Sequence, residues 1–281
     1  MLKNTKIAFI GPGAMAEAML SGILRKNLTD PKNILTSGPI IERINELQAK
    51  YGTMPFTDNA KAAGSADVVI LSVKPQRLEK VLLGLNKAIQ EDALVLSIVA
   101  GASINKISAL LNHNKIVRSM PNTPAQIGKG ITVWCQSNSV DGKQNEIAKS
   151  ILASFGKEIF VKEEEYLDKA TALSGTGPAY VYLFMEAMVD AGVHLGFSRR
   201  IAERLVIETL RGSVDFYDQN FNNHKHLATL RNQVTSPGGT TAEAIYYLEK
   251  AGFRTAISRA IWAAYHRSKE LGKDAETHQP E

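Results

Sequence analysis

Near the amino terminus an apolar run leads through a glycine turn into a helical pattern, and few folds accommodate this combination. The segment reads Ile7-Ala-Phe-Ile-Gly-Pro-Gly-Ala-Met-Ala16. Gly11 permits a tight turn after a strand, and Gly13 lets the backbone approach a pyrophosphate at the positive end of the following helix. Ala16 stands at the helix-packing position, where a third glycine is usual. Glycine turns of this kind also occur as purely structural loops, but a strand before and a helix after are typical of dinucleotide binding. The predicted cofactor contacts are Ile10, Gly11, Pro12, Gly13, Ala14 and Met15.

The first half of the chain alternates short apolar runs with amphipathic segments. The predicted strands are Lys6–Ile10, Asn33–Thr36, Asp67–Val73, Leu94–Val99, Ile116–Met120, Ile131–Cys135 and Glu158–Lys162. The predicted helices between them are Ala14–Leu24, Ile40–Lys50, Gln76–Ala88, Ser103–Leu111 and Asp141–Phe155. Several strands are rich in Val and Ile without polar alternation, as in strands buried on both faces. We therefore expect an α/β fold with a doubly wound, Rossmann-type parallel sheet.

After about residue 162 the pattern changes, and no strand-like run remains. The predicted helices are Pro178–Leu195, Arg199–Tyr217, Thr241–Lys250 and Arg254–Leu271. Apolar residues recur there at steps of three and four, beginning with Val181, Phe184 and Met185. We predict a dinucleotide-binding domain over residues 1–162 and an all-helical domain over 163–281. Such apolar helices often bury their surface against a partner subunit.

Composition narrows the class of protein. The chain has 281 residues, of which 44% are apolar and 22% are charged, as in an ordinary globular protein. The net charge of +5 comes from scattered Lys and Arg, which favours anionic small ligands over nucleic acid. The single cysteine, Cys135, excludes a disulfide framework and a cysteine zinc site, and no histidine spacing indicates a metal. Without a membrane-length apolar stretch or a signal-peptide pattern, the chain is expected to be cytoplasmic.

The end of the second strand indicates which dinucleotide binds. NAD-binding versions of this unit carry an Asp or Glu there, which holds the ribose 2′-hydroxyl. Here the strand ends Ile34-Leu-Thr-Ser-Gly-Pro39, with no carboxylate. A hydroxyl such as Ser37 or an amide such as Asn59 would accept a 2′-phosphate, which a carboxylate would repel. We therefore predict NADP(H), with NAD(H) left open as a second cofactor.

Two further segments follow parallel strands, at the sheet edge where ligands bind. The first is Ser72-Val73-Lys74-Pro75, and the second contains Ala100-Gly101. Lys74 is either a cofactor contact or a strand-end residue bonded to nearby carbonyls. Ala100 and Gly101 are small enough for a nicotinamide ribose to lie close. All six residues are predicted to bind the cofactor.

The string Thr235-Ser-Pro-Gly-Gly-Thr-Thr241 combines four hydroxyls with two glycines immediately before a predicted helix. One interpretation is an elaborate helix cap, in which a hydroxyl caps the helix and the glycines make a turn. That interpretation does not need four hydroxyls. The functional interpretation is an anion nest, in which backbone N–H groups at a helix start bind a carboxylate.

With this string the chain resembles the pyrroline-5-carboxylate reductases. The matching segments are Ile10–Met15, Val73–Gln76, Arg118–Pro124, Ala172–Tyr180 and Val234–Thr241, in the family's order across nearly the whole chain. The resemblance implies reduction of L-1-pyrroline-5-carboxylate to L-proline by NAD(P)H, the last step of proline biosynthesis. It also implies a helical domain that forms homodimers, which commonly assemble into decamers.

The resemblance implies site residues as well. Ser236, Gly238, Gly239 and Thr240 would hold the substrate carboxylate, and Thr241 would hydrogen-bond the ring nitrogen as the catalytic residue. Ser37 and Asn59 would lie by the ribose phosphate. Glu164 matches an acidic position near the substrate. The chain departs from the family pattern at Thr176, where Ser is usual, and at Asn232, where Asp is usual.

Two other functions are compatible with this architecture. A β-hydroxyacid dehydrogenase would need a lysine acid/base after the domain boundary, but the corresponding segment, Ser174-Gly-Thr-Gly-Pro-Ala-Tyr180, has none. A non-catalytic, nucleotide-binding regulator would be expected to lose the substrate loop first, and here the loop is intact. Both alternatives predict no turnover of pyrroline-5-carboxylate.

Overall fold

The apolar runs of the first half form one eight-stranded sheet in the computed structural model, which describes residues 2–221 and 226–274 and no side chains at 220–221 or 273–274. The strands are β1 Ile7–Ile10, β2 Ile34–Ser37, β3 Met54–Phe56, β4 Val68–Leu71, β5 Leu94–Ser97, β6 Ile116–Met120, β7 Gly130–Gln136 and β8 Gly156–Phe160. Their order across the sheet is β3-β2-β1-β4-β5-β6-β7-β8. This order places the end of β1 next to the ends of both β2 and β4.

The sheet is parallel except at one junction. Strands β6 and β7 pair antiparallel, with Arg118 opposite Cys135, and β8 runs parallel to β7. The connection from residue 121 to 129 contains only a short 3₁₀ turn, Thr123–Ile127. Parallel pairing needs a crossover of about a dozen residues or more, so this connection can only reverse the chain. The doubly wound α/β fold is confirmed, and the reversal at β7 is an addition that the strand pattern did not predict.

Helices cover both faces of the sheet. In the first part of the chain they are α1 Ala14–Arg25, α2 Ile41–Tyr51, α3 Asn59–Gly64, α4 Pro75–Leu85, α5 Ile104–Leu111, α6 Gly142–Leu152 and α7 Glu165–Ala170. Alternate residues of β1 enter opposite cores. Ile7 and Phe9 pack with Trp134 and Phe155 on one face, whereas Ala8 and Ile10 belong to the core of the other face. This two-sided burial explains why the strands show no polar alternation.

The later part of the chain is helical, as predicted. Its helices are α8 Gly177–His194, α9 Arg199–Phe221, α10 Leu227–Gln233, α11 Thr240–Lys250 and α12 Phe253–Asp274. None of the described helices is both long and apolar enough to cross a membrane. Strand β3 and helices α3, α7 and α10 were not predicted, because three to seven residues are too short to show a periodicity.

Residue contacts divide the chain into two units. The first runs to Pro178 and takes in the chain again from Ala263, so that it contains the sheet and the carboxyl end of α12. The second is Ala179–Trp262. The sequence boundary at residue 162 marks the end of the sheet, since β8 ends at Phe160. It does not mark this division of contacts, because α7 and the turn after it lie in the first unit.

The second unit has a small core of its own. Among its described residues, only Val189, Ala202 and Val206 form a buried apolar cluster, with Met185 and Met188 packed against it. Large apolar side chains stay exposed on its helices, among them Tyr182, Leu183, Ile201, Tyr247 and Trp262. Exposed apolar surface of this extent is characteristic of a protein–protein interface.

Candidate active site

The glycine turn after β1 has the geometry that the sequence predicts. Gly11 has φ +97°, and a Cβ there would lie 2.7 Å from Val73 Cγ1 and 2.9 Å from the Ser72 carbonyl oxygen. Gly13 is different, because its φ of −79° suits any residue and no atom lies within 4 Å of an added Cβ. Gly11 is therefore required by the turn, and Gly13 faces open space.

Helix α1 begins at this turn without a side-chain cap. Gly13 is the N-cap residue, and the first intrahelical hydrogen bond runs from Glu17 N–H to the Gly13 carbonyl. The amides of Ala14, Met15 and Ala16 precede that bond, so they have no acceptor within the helix. An open approach at Gly13 and uncapped amides at a helix start make an anion site.

Neighbouring segments hold the turn in place. Ser72, just after β4, donates its hydroxyl to the carbonyls of Ile10, at 3.1 Å, and Gly11, at 2.9 Å. Lys74 is the N-cap residue of α4, followed by Pro75. Its exposed side chain makes no hydrogen bond or ion pair with the described residues, so its ammonium is not bonded to nearby carbonyls there. The predicted Ser72–Pro75 segment thus lies beside the glycine turn.

Arg43 also supports the turn, although no motif marked it. Its Nε donates to the Pro12 carbonyl at 3.0 Å, and its guanidinium pairs with Glu17 of α1. Glu17 further accepts hydrogen bonds from Lys50 and Tyr51 of α2. Burial alone would raise the pKa of Glu17, but these hydrogen bonds and the Arg43 charge outweigh it and lower the pKa to about 2. The cluster fixes α2 against the start of α1.

The residues predicted for the ribose phosphate are in contact. Ser37, fully buried at the end of β2, donates its hydroxyl to Asn59 Oδ1 at 2.7 Å. This bond occupies the acceptor oxygen of the amide and turns its Nδ2 donor away from Ser37. Asn59 Nδ2 makes no hydrogen bond to the described residues. Ser37 therefore orients Asn59, and of these two side chains it is Asn59 that keeps a donor available to a ligand.

The Ala100–Gly101 turn lies between β5 and α5 and packs against the last helix. Gly101 has φ +73°, and a Cβ there would lie 3.1 Å from the backbone nitrogen of Gly272 in α12. The turn is also tied to its own strand, because Val99 N–H donates to Ser97 Oγ at 3.2 Å. Gly101 is therefore required by packing, whether or not a ligand lies beside it.

Glu164 is the N-cap residue of α7 and belongs to a partly buried ionic cluster. Its Oε1 accepts from Arg118 Nη1 at 2.9 Å and from the Ile104 amide at 2.8 Å. Asp168, one turn later, accepts from Arg118 Nη2 at 3.0 Å and from the Ser268 hydroxyl at 3.1 Å. Arg118 is only 5% exposed. No role was predicted for Arg118 or Asp168, because Arg118 lies 46 residues from Glu164 and 50 residues from Asp168 along the chain.

The hydroxyl-rich loop of the second unit is a turn that opens helix α11. Gly239 N–H donates to the Ser236 carbonyl at 3.1 Å, with Pro237 and Gly238 at the central positions and φ +67° at Gly238. This is the pattern of a type II turn. Thr235 donates its hydroxyl to the Arg231 carbonyl at 2.7 Å, so this hydroxyl is already occupied and is not available to a ligand.

Helix α11 begins, like α1, at a glycine without a side-chain cap. Gly239 is the N-cap residue, and the first intrahelical bond comes from Glu243 N–H. The hydroxyls of Ser236, Thr240 and Thr241 make no hydrogen bond to the described residues. The side chains of Asp58, Ser103, Asp141 and His226, in contrast, cap their own helices. The loop therefore offers amides and three hydroxyls to an external acceptor.

In the part of the chain that the structure describes, neither Cys135 nor a cluster of metal-ligating side chains forms a further site. Cys135 is buried in β7, and burial raises the pKa of its thiol to about 12, which keeps it protonated. Among residues 2–221 and 226–274, no three His, Cys, Asp or Glu side chains come together as metal ligands would.

Both parts of the chain match known protein families. Residues 6–101 match the family "NADP oxidoreductase coenzyme F420-dependent", and residues 164–271 match "Pyrroline-5-carboxylate reductase dimerisation". A pyrroline-5-carboxylate reductase of Synechocystis sp. is 40% identical over 96% of this chain and 99% of its own length.

Solved structures agree along nearly the whole chain. A pyrroline carboxylate reductase of Plasmodium falciparum with NADP bound is similar with a TM-score of 0.88 and 33% identity, covering 97% of this chain and all of its own. A pyrroline-5-carboxylate reductase of Coxiella burnetii is similar with a TM-score of 0.85 and 35% identity, covering 96% of this chain and 99% of its own.

Proposed function

The chain belongs to the pyrroline-5-carboxylate reductase family, and we propose that it reduces L-1-pyrroline-5-carboxylate to L-proline with NAD(P)H, as the last step of proline biosynthesis. One observation on the residues of this chain supports the proposal. Helices α1 and α11 begin at glycines without a side-chain cap, at a glycine turn and at a hydroxyl-rich loop. A pyrophosphate and a carboxylate are the two anions that such a reductase must hold.

The geometry at β1 fits a nicotinamide dinucleotide. The open space at Gly13 admits a pyrophosphate, and the uncapped amides after it supply hydrogen bonds. We propose that Ile10–Met15 hold the pyrophosphate, with Ser72–Pro75 beside them and Ala100–Gly101 by the nicotinamide ribose. When bound, the cofactor supplies the hydride. The residues of this chain only position it.

We propose that NADPH is preferred over NADH. The sequence Ile34–Gly38 offers no carboxylate to a ribose hydroxyl, whereas Asn59 Nδ2 is a free donor for a phosphate oxygen. Asn59→Asp replaces this donor by a carboxylate, which repels a 2′-phosphate. It should raise KM for NADPH at least about 10-fold and change KM for NADH little. Equal changes for both cofactors would contradict the assignment.

The substrate carboxylate is proposed to bind at α11. Ser236, Gly238, Gly239 and Thr240 surround the uncapped helix start, and its amides and hydroxyls are donors. Thr241 lies in the first turn and is half-buried. We propose that its hydroxyl bonds the ring nitrogen and relays a proton from water.

Glu164 is proposed as a substrate neighbour. Its Oε1 is occupied by Arg118 and Ile104, and Oε2 makes no hydrogen bond to the described residues. That oxygen is the part of the side chain able to meet a substrate.

Imine reduction suits a site without a strong acid. The substrate nitrogen protonates near neutrality, so the iminium accepts hydride without a lysine or histidine donor. The loop Ser236–Thr241 contains neither, and the segment from Ser174 to Tyr180 contains no lysine for alcohol chemistry. A β-hydroxyacid dehydrogenase is therefore not favoured.

A steady-state assay tests the function. NADPH oxidation with pyrroline-5-carboxylate should be saturable, and NADP reduction with 3-hydroxyacids should be absent. Turnover of hydroxyacids without turnover of the imine would overturn the proposal.

The chain matches a dimerisation family over residues 164–271, and we propose that its homodimers assemble further into decamers. The exposed apolar side chains of α8, α9, α11 and α12 support burial between subunits. Native mass spectrometry should show the decamer, and a dimer as the largest species would contradict it.

We also propose a reducing, cytoplasmic compartment, which suits a single buried cysteine.

A further inference from the structure

We propose that Arg118 is a positioning residue for hydride transfer, because it holds the Ala100–Gly101 turn and the last helix in register through two carboxylates of α7. This inference rests on the proposed function, since that turn is assigned to the nicotinamide ribose. It concerns residues to which the substrate and cofactor assignments give no role, namely Arg118, Asp168 and Ser268.

The guanidinium of Arg118 is placed where it bonds two carboxylates at once. Arg118 lies in β6 opposite Ser97 of β5, on the strand next to the one that leads into the Ala100–Gly101 turn. Its two terminal nitrogens each bond a different carboxylate, Glu164 at 2.9 Å and Asp168 at 3.0 Å. A planar fork can fix two acceptors at once, which a lysine ammonium does less well.

The two carboxylates in turn hold the start of α5 and helix α12. Glu164 accepts the amide of Ile104, the first residue of α5, and so fixes the far end of the turn. Asp168 accepts the Ser268 hydroxyl, and Tyr265, one turn earlier in α12, donates to Glu165. Both ends of the turn are thereby fixed, one by Ser97 of β5 and the other through Arg118 and α7.

The Ala100–Gly101 turn depends on this support. Gly101 packs against the backbone of Gly272, so the turn and the carboxyl end of α12 must keep their spacing. Neither Ala100 nor Gly101 has a side chain that could anchor the turn itself. A buried ion pair is weak evidence for stability on its own, since apolar residues can pack as well. One guanidinium that bonds two carboxylates, of which one holds the start of α5 and the other holds α12, instead fixes geometry. A displacement of about 1 Å can cost two orders of magnitude in rate.

The experiment compares Arg118→Lys and Asp168→Asn with the wild-type enzyme. Lys115→Met is the matched control, because Lys115 precedes the other end of β6 and pairs with exposed Asp92 at 2.6 Å. Each protein is assayed for kcat and KM with pyrroline-5-carboxylate, for the Kd of NADPH, and for the kinetic isotope effect with NADPH dideuterated at C4 of the nicotinamide. Thermal midpoints report folding.

Arg118→Lys should lower kcat on the order of 10-fold, with the Kd of NADPH within about 2-fold of wild type. The isotope effect on kcat should rise, because a misplaced turn slows hydride transfer itself. Asp168→Asn should act the same way, and the double variant should lose no more than the larger single loss. Lys115→Met should match wild type.

An unchanged kcat and isotope effect in Arg118→Lys would overturn the inference while leaving the proposed function intact. A lower thermal midpoint with an unchanged isotope effect would show a purely structural role and would also overturn it. Absence of turnover by the wild-type enzyme would overturn the function and the inference together.

Discussion

Substituting Gly13 by alanine should separate cofactor binding from folding. Gly13 has φ −79° and ψ −176°, which alanine adopts freely, and no atom lies within 4 Å of the new methyl group. Because alanine restricts the unfolded chain more than glycine does, the free energy of unfolding should stay unchanged or rise by about 0.4–1 kcal/mol. The methyl group would instead enter the space through which a pyrophosphate reaches the amides of α1.

The loss of NADPH affinity follows from the hydrogen bonds to the pyrophosphate that the methyl group would break. A hydrogen bond to a charged group contributes about 1.5–3 kcal/mol, and a displaced pyrophosphate would lose at least two of them. At about 1.4 kcal/mol per tenfold, the Kd of NADPH should rise about 100-fold or more.

Gly11→Ala is the contrasting variant, because its methyl group would overlap Val73 and the Ser72 carbonyl at φ +97°. Strained backbone of this kind costs about 1–3 kcal/mol before any steric overlap, so this variant should lower the thermal midpoint. Calorimetric titration with NADPH and thermal unfolding measure the two effects separately. Tight NADPH binding by Gly13→Ala, or destabilisation equal to that of Gly11→Ala, would refute the reasoning.

Three further predictions concern other parts of the chain. Thr241→Ala should lower kcat/KM on the order of 10-fold or more in steady-state kinetics, and near-normal values would remove Thr241 from the mechanism. Thr132 has a buried hydroxyl without a partner among the described residues, so Thr132→Val should raise the thermal midpoint, equivalent to about 1 kcal/mol, and a lower midpoint would contradict this. Because the pKa of Glu17 is lowered from 4.5 to about 2, its ion pairs should stabilise the fold fully above about pH 4.5 and progressively less toward pH 2. Glu17→Gln should therefore flatten that part of the midpoint-against-pH profile, and an unchanged slope would contradict it.

The parts of the site that sequence predicted are those made by consecutive residues. The turn at Gly11–Gly13 and the loop at Ser236–Thr241 each carry their backbone requirements locally, as positive φ at Gly11 and Gly238 shows. Ser72 and Val73 were also placed correctly beside the turn, because the carboxyl ends of parallel strands meet at one edge.

The parts that sequence did not predict depend on residues far apart in the chain. Arg118 meets Glu164 and Asp168 only after β6 and α7 have packed, and Ser268 lies 100 residues from Asp168. Arg43 contacts Pro12 across 31 residues and belongs to no motif. The apolar periodicity of α8 was read correctly as a helix, yet it does not say that Val181 is half-exposed. The apolar periodicity in the sequence is the same whether the helix face packs within its own chain or against a partner subunit.

Transfer of deuterium from the cofactor to the product is a direct test of the proposed reaction. The enzyme is incubated with pyrroline-5-carboxylate and NADPH dideuterated at C4, and the product is examined by mass spectrometry and NMR. Hydride transfer to the imine carbon predicts L-proline carrying one deuterium at C5. Unlabelled proline, or oxidation of NADPH without proline, would contradict the assignment of this chain as a pyrroline-5-carboxylate reductase.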